Sequence, residues 1–271
     1  VIWLVIIFDL FFFRSMYSQM HMSKDEMRKV IYESPVADAL KNAREGARFS
    51  VQSKFFAYAN LGHIYGRSSI SGYNQFQLQL YRKLNIGSPR TASLLGAEFV
   101  DSQTSLDFMA NKDVLPRAFV VGRSRFNPDF DLQKALDDGF DPLDVVYLDK
   151  DYATLGDSPR LDYSVARYED KGNEILIDMT SGGQGFLVIS EIYYPGWKVY
   201  VNNEEKEVLR ADMALRAVQV EKGASRVRFV FQPRSFIIGG TLSAFSFFGL
   251  VVFWGLSQIQ KKRRGMASIH I

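Results

Sequence analysis

The chain has 271 residues, 47% of them hydrophobic and 14% aromatic, which is too apolar for disorder and enough for one or two domains with real cores. Charged residues make up 23%, too many for a wholly membrane-buried protein, and a net charge of +3 gives no nucleic-acid footprint. With no cysteine, and with His21, His63 and His270 widely scattered, disulfide scaffolds and thiolate metal sites are excluded and neither a metal site nor a cofactor is predicted.

In chain order, Val1 to Phe13 is apolar apart from Asp9 and has no basic leader or small-residue cleavage site, so it does not read as a signal peptide. It is too short to cross a bilayer and predicts the last portion of a transmembrane helix that begins upstream, with a buried core helix of a soluble domain as the alternative. An ionisable Asp9 in such a helix is either functional or close enough to the outer end to reach water. Ser34-Pro35 reads as an N-cap with proline at the first helical position, predicting a short helix over Val36 to Ala43. Arg48 to Ser53 follows as a strand. Asn60 to Tyr73, rich in Gly, Ser and Tyr, reads as an exposed loop. A helix is predicted over Gln75 to Leu84, with Phe76, Leu80 and Leu84 on one side. Strands are expected at Ala97 to Val100, Ala118 to Val121 and Asp144 to Leu148, with a helix capped by Asp131 and ended by Gly139 between the last two. Helices and strands thus alternate over residues 14–160, a small α+β layer.

From Asp162 onward only strands are predicted: Ser164 to Tyr168, Glu174 to Thr180, Gly185 to Ile192, Trp197 to Val201, Glu207 to Arg210, Arg216 to Val220 and Ser225 to Phe231. Asn202-Asn203 marks a tight hairpin, and Glu221-Lys222-Gly223 a second turn. Residues 161–235 read as an antiparallel β-sandwich, giving an α+β protein. Phe236 to Ser257 contains no charged residue and as a helix spans roughly 33 Å, matching a hydrocarbon core of about 30 Å. Lys261, Lys262, Arg263 and Arg264 come next and read as an electrostatic stop signal rather than a lipid-recognition motif. They place residues 258–271 in the cytoplasm under the positive-inside rule, and residues 14–235 outside.

Tyr193-Tyr194-Pro195-Gly196-Trp197-Lys198-Val199, with Val201-Asn202-Asn203, Leu209-Arg210-Ala211-Asp212 and Pro233-Arg234-Ser235-Phe236, resembles the YfhO family of bacterial membrane proteins, which are related to GT-C-type glycosyltransferases. Asp9-Leu10, Asn60, Tyr65-Gly66, Gly72-Tyr73 and Leu115-Pro116-Arg117-Ala118 look like the family's outer loop. The resemblance implies a multi-pass protein of the bacterial cytoplasmic membrane. It implies glycosyl transfer from a polyprenyl-phosphate sugar donor onto an envelope glycan acceptor. The catalytic carboxylate of GT-C enzymes lies in their first outer loop, upstream of this chain, so no catalytic residue is carried over. A carbohydrate-binding or assembly module without activity, or part of a transporter, stands as the alternative.

Glycosyl transfer from a lipid phosphate needs a carboxylate base and groups that stabilise the leaving phosphate. Asp101, Asp107, Asp137, Asp138, Asp141 and Asp144 are available, but no motif places them and caps or solvated loops account for them. Asn60, His63, Tyr65 and Tyr73 offer hydrogen-bonding and stacking groups on one loop, as a glycan groove would. Trp197 is predicted either to stack on a sugar ring, with Tyr193 and Tyr194 beside it, or to fill the sandwich core after a Pro-Gly turn.

Overall fold

The computed structural model describes residues 23–51, 61–71, 78–101, 108–152 and 160–267. The predicted helix end over Val1 to Phe13, including Asp9, lies outside the described residues, as do Asn60, Tyr73 and Asp107.

The helices are α1 (Lys24–Tyr32), α2 (Pro35–Asn42), α3 (Leu61–Ile64), α4 (Pro89–Leu94), α5 (Leu132–Asp137) and α6 (Arg234–Ala267). The strands are β1 (Arg48–Ser50), β2 (Ser68–Ser69), β3 (Ala97–Asp101), β4 (Phe108–Ala110), β5 (Ala118–Val121), β6 (Ser124–Phe126), β7 (Val146–Leu148) and β8 (Tyr163–Asp170). They continue as β9 (Glu174–Ser181), β10 (Gly185–Ile192), β11 (Trp197–Val201), β12 (Glu204–Lys206), β13 (Leu209–Ala211), β14 (Leu215–Val220) and β15 (Gly223–Phe231). The α+β class holds.

Local chemistry starts and stops these elements as the sequence predicts. The Ser34 side chain accepts from the Ala37 N–H and Pro35 opens α2. Asp131 accepts from the Lys134 N–H at the start of α5, and Gly139 beyond its end has φ +92. Asn202 and Asn203, at φ 52 and 69, form the two-residue turn between β11 and β12. Helix α1, which is not among the predicted elements, has a capping box between Ser23 and Glu26.

Three expectations need correction. Within Asn60 to Tyr73, Leu61–Ile64 is helical and Ser68–Ser69 pairs with β1. The turn is held from outside, because Leu61 is buried and Arg67 donates to Leu40 O at 3.1 Å and Ala43 O at 2.9 Å, capping the C-terminal end of α2. The described part of Gln75 to Leu84 forms only a 3-10 turn at Tyr81–Lys83, before Leu84 takes an extended backbone. The boundary drawn at residue 160 does not separate two cores. The six-stranded sheet, in the order β5-β10-β14-β13-β7-β6, takes β5, β6 and β7 from before that point and β10, β13 and β14 from after it.

This sheet faces a five-stranded antiparallel sheet, ordered β12-β11-β15-β9-β8. Leu187, Ile189, Val218 and Val220 from the first meet Ile175, Ile177, Val199, Val227 and Phe229 from the second, which is the sandwich core. The other face of the six-stranded sheet, with Phe119, Phe186, Val188 and Leu215, packs under Leu94 of α4 and Leu132 and Leu136 of α5. Strand β10 is therefore buried on both faces, which accounts for its unbroken apolar run from Phe186 to Ile189. A four-stranded sheet, β2-β1-β3-β4, forms a third layer with α2 around Phe49, Val36 and Leu40.

Candidate functional site

A cluster of charged side chains lies at the end of the sandwich from which α6 leaves. In β10 the inward phase of Leu187 and Ile189 continues to Glu191, and in β14 the phase of Val218 and Val220 begins at Arg216. Ile189 and Arg216 are cross-strand partners, so the acid and the base enter the same end of the core.

Glu191 is the hub. Its Oε1 accepts from Arg48, from Arg117 at 2.6 Å and from the Tyr168 hydroxyl at 3.1 Å, while Arg216 stands 3.8 Å from Oε2. Arg117 also bonds Asp170 at 2.8 Å and lies 4.4 Å from the centre of the Tyr168 ring. Arg48 reaches in from β1 and donates to Leu95 O at 3.0 Å and Ser190 O at 2.9 Å, tying the four-stranded layer to the sandwich. Arg216, 3% exposed, stacks 3.8 Å from the centre of the Trp197 ring. Arg216 Nε and Nη1 and Arg117 Nε are buried without a hydrogen-bond partner. Gly96 makes room for the cluster: its φ is +70, and a Cβ there would lie 3.2 Å from Arg117 Cγ.

Burial opposes ionisation of Glu191, but Arg48, Arg117 and Arg216 outweigh it and hold the carboxyl below its ordinary value. Asp170 is likewise lowered against its burial, by the Gly172 N–H and Arg117. Arg216, the least compensated cation, is pushed down to about 10 by burial, with Arg48 adding to the effect and Glu191 opposing it. The arrangement holds charge in place and joins layers. It offers no open coordination to a substrate, and no group of three or more metal-ligating side chains occurs among the described residues.

The junction with α6 is built on the same end. Gly196 O accepts from Gln232 N at 2.7 Å, and Asn173 O accepts from Phe231 N at 2.9 Å. Gly196 has φ +105, and a Cβ would sit 3.0 Å from Pro233 Cβ. Trp197 packs on Phe231 with ring centres 5.3 Å apart. Helix α6 then leaves the domain: Arg234–Ser257 is long and apolar enough to cross a membrane, with no part of that window buried. Thr241 and Ser257 return their hydroxyls to the helix backbone at Ile237 O and Trp254 O, which suits an apolar surrounding.

Of the predicted site residues, His63, Tyr65 and Trp197 are described, and Trp197 packs against a different core from Tyr65. His63 is exposed on α3. Tyr65 donates its hydroxyl to Ile31 O and packs in the four-stranded layer. Trp197 borders the sandwich core, between Arg216 and Phe231. Glu191, Arg216, Arg48 and Asp170 stand in no motif of the sequence. The available signal was a charge in the apolar phase of a strand, at Glu191 after Ile189 and at Arg216 before Val218.

A cleft of about 870 Å³ opens beside the turn between β13 and β14, lined by Lys83, Asp129, Phe130, Lys134, Arg210 and Met213 among others. Phe130 stacks on Tyr147 at 3.9 Å, and Arg210 is anchored to Asp149 at 3.1 Å. The turn itself carries Asp212, fully buried at φ +45. Its Oδ1 accepts from Tyr147 N at 2.8 Å and its Oδ2 has no partner.

Residues 160–243 match the family model for bacterial membrane protein YfhO. The YfhO match spans β8 to β15 and runs on into α6, so it covers the charged hub's Glu191 and Arg216, the Tyr193–Trp197 turn and the junction. It does not reach Leu115–Ala118 or the other upstream segments of the resemblance. No curated protein and no solved structure matches the chain. The YfhO match and the unburied apolar helix together support association with a membrane.

Proposed function

We propose that the described domain is the extracytoplasmic part of a multi-pass bacterial membrane glycosyltransferase, in which it holds the acceptor glycan and leaves the bond-making step to residues outside this chain. The observation that carries this reading is the direct passage of the YfhO-matching sandwich into α6, through a junction fixed by Gly196 and Asn173. The basic residues Lys261 to Arg264 follow the apolar stretch and favour a cytoplasmic tail, which leaves the sandwich outside. A polyprenyl-phosphate sugar donor would then reach the enzyme through the bilayer, and an envelope polymer from the outer side.

The cleft beside the β13–β14 turn suits such a polymer. Asp129, Lys134 and Arg210 supply acceptors and donors for hydroxyl groups, and Phe130, stacked on Tyr147, supplies an aromatic wall. Asp129 and Lys134 are both exposed, so their replacement leaves the core intact. In cells making the full-length protein, Asp129→Ala combined with Lys134→Ala is expected to lower sugar incorporation into the envelope polymer about tenfold or more, the equivalent of one or two lost charged hydrogen bonds. Protein abundance should stay unchanged. Incorporation at the parental level, with the double variant present in normal amount, removes the cleft from the account.

A further inference from the structure

Beyond acceptor binding, one exposed side chain takes no part in either the charged hub or the cleft lining. Tyr194, 46% exposed, sits at the tip of the turn between β10 and β11, with its ring centre 6.2 Å from that of Phe231. The turn is bound on both sides. Tyr193 N donates to Ala214 O at 2.6 Å, and Gly196 O accepts from Gln232 N at 2.7 Å. Its neighbour, the β8–β9 turn, contributes Asn173 O to Phe231 N at 2.9 Å. These turns therefore stand beside the first residues of α6 and cannot swing away from it without breaking backbone hydrogen bonds.

The distance to the apolar stretch follows from the chain itself. From Gln232 to Phe236 the backbone advances on the order of 6–9 Å. The headgroup band of a bilayer is about 5–8 Å thick on each side of the hydrocarbon core. If Phe236 marks the start of the hydrocarbon, the Tyr193–Gly196 turn lies at headgroup depth. Tyrosine and tryptophan are enriched there because an apolar ring carries a polar edge. Arg234, exposed at the first position of α6, lies at the same level with a guanidinium for lipid phosphates.

We infer that the Tyr193–Trp197 turn is a membrane-surface seat: Tyr194 enters the phospholipid headgroup layer and, with Arg234, fixes how the sandwich stands on the bilayer. This rests on the reading that α6 crosses the membrane. Trp197 and Phe231 form the rigid backing of the seat, since Trp197 is clamped between Arg216 and Phe231. The seat sets the height at which the neighbouring cleft opens above the lipid surface, because Met213 in the cleft wall belongs to the turn that Tyr193 bonds.

The chain has no cysteine, so single cysteines report alone within it. The test places an environment-sensitive fluorophore at Tyr194→Cys, at Lys222→Cys in the exposed β14–β15 turn, and at Phe245→Cys in α6, using the whole chain in phosphatidylethanolamine and phosphatidylglycerol vesicles. Lipids carrying a nitroxide on the headgroup are expected to quench the label at 194 and leave the label at 222 bright, while a nitroxide deep in the acyl chain quenches the label at 245. A label at 194 as bright as that at 222, with 245 quenched, overturns the seat and leaves the membrane span standing. A label at 245 that deep nitroxides do not quench overturns both.

Discussion

Glu191→Ala should be the most damaging single substitution in the domain, costing about 3–5 kcal/mol of stability. Three arginines, Arg48, Arg117 and Arg216, converge on this carboxylate from three different strands or strand entries, and Asp170 alone would remain to offset them. Arg216 is the worst placed, since its Nε and Nη1 already have no partner and its ring contact with Trp197 cannot replace a counter-ion. The loss should appear as a lower urea midpoint for the full chain in detergent. Adding Arg216→Met to Glu191→Ala should recover part of it, because the second change removes the most deeply buried unpaired charge. Glu191→Ala within about 1 kcal/mol of the parent would show that the hub is not what joins the layers.

The second large effect is a pH dependence set by Asp212. Burial pushes its carboxyl up to about 7, and the Tyr147 N–H only partly opposes this. An unfolded aspartate titrates near 4. Between about pH 4 and pH 7 the folded protein therefore holds a proton that the unfolded chain has released, and stability declines as pH rises through that window. Above about pH 7 both states are ionised and this contribution is flat. The fall across the window is on the order of 2–4 kcal/mol. Glu191 and Asp170, whose values are lowered, contribute in the opposite sense, but only in more acid solution below the window. Asp212→Asn should abolish the decline. Asparagine tolerates the positive φ, keeps an oxygen for the Tyr147 N–H and stays neutral. Urea midpoints at pH 5 and pH 8 should differ for the parent and nearly coincide for the variant. Equal slopes in the two proteins would assign the dependence elsewhere.

Much of the fold was written locally. Ser34-Pro35, Asp131 with Gly139, and Asn202-Asn203 each carry a cap or turn whose chemistry acts within a few residues, and each forms as read. Strands β9, β10, β11 and β15 could be read because apolar phase and length suffice to mark them. The helix within Asn60 to Tyr73 is not legible in the sequence, because it is secured by Leu61 in a core built from distant residues and by Arg67 on the end of α2, neither of which leaves a local pattern. The continuity of the sheet across residue 160 is hidden for a similar reason. Strand pairing across the sheet, such as β5 with β10, joins residues far apart in sequence. The hub was half legible. Glu191 and Arg216 break the apolar phase of their strands, but nothing in the sequence says that Arg48, 143 residues away, completes the cluster.

The proposed glycan-holding role requires α6 to lie in lipid with the sandwich on the outer side. Labelling intact cells with a membrane-impermeant maleimide, using Lys222→Cys and Ser268→Cys in the full-length protein with no other reactive cysteine, tests this most directly. The predicted result is labelling at 222 without permeabilisation, and at 268 only after it. Labelling at 268 in intact cells with 222 protected would put the sandwich in the cytoplasm and contradict the account.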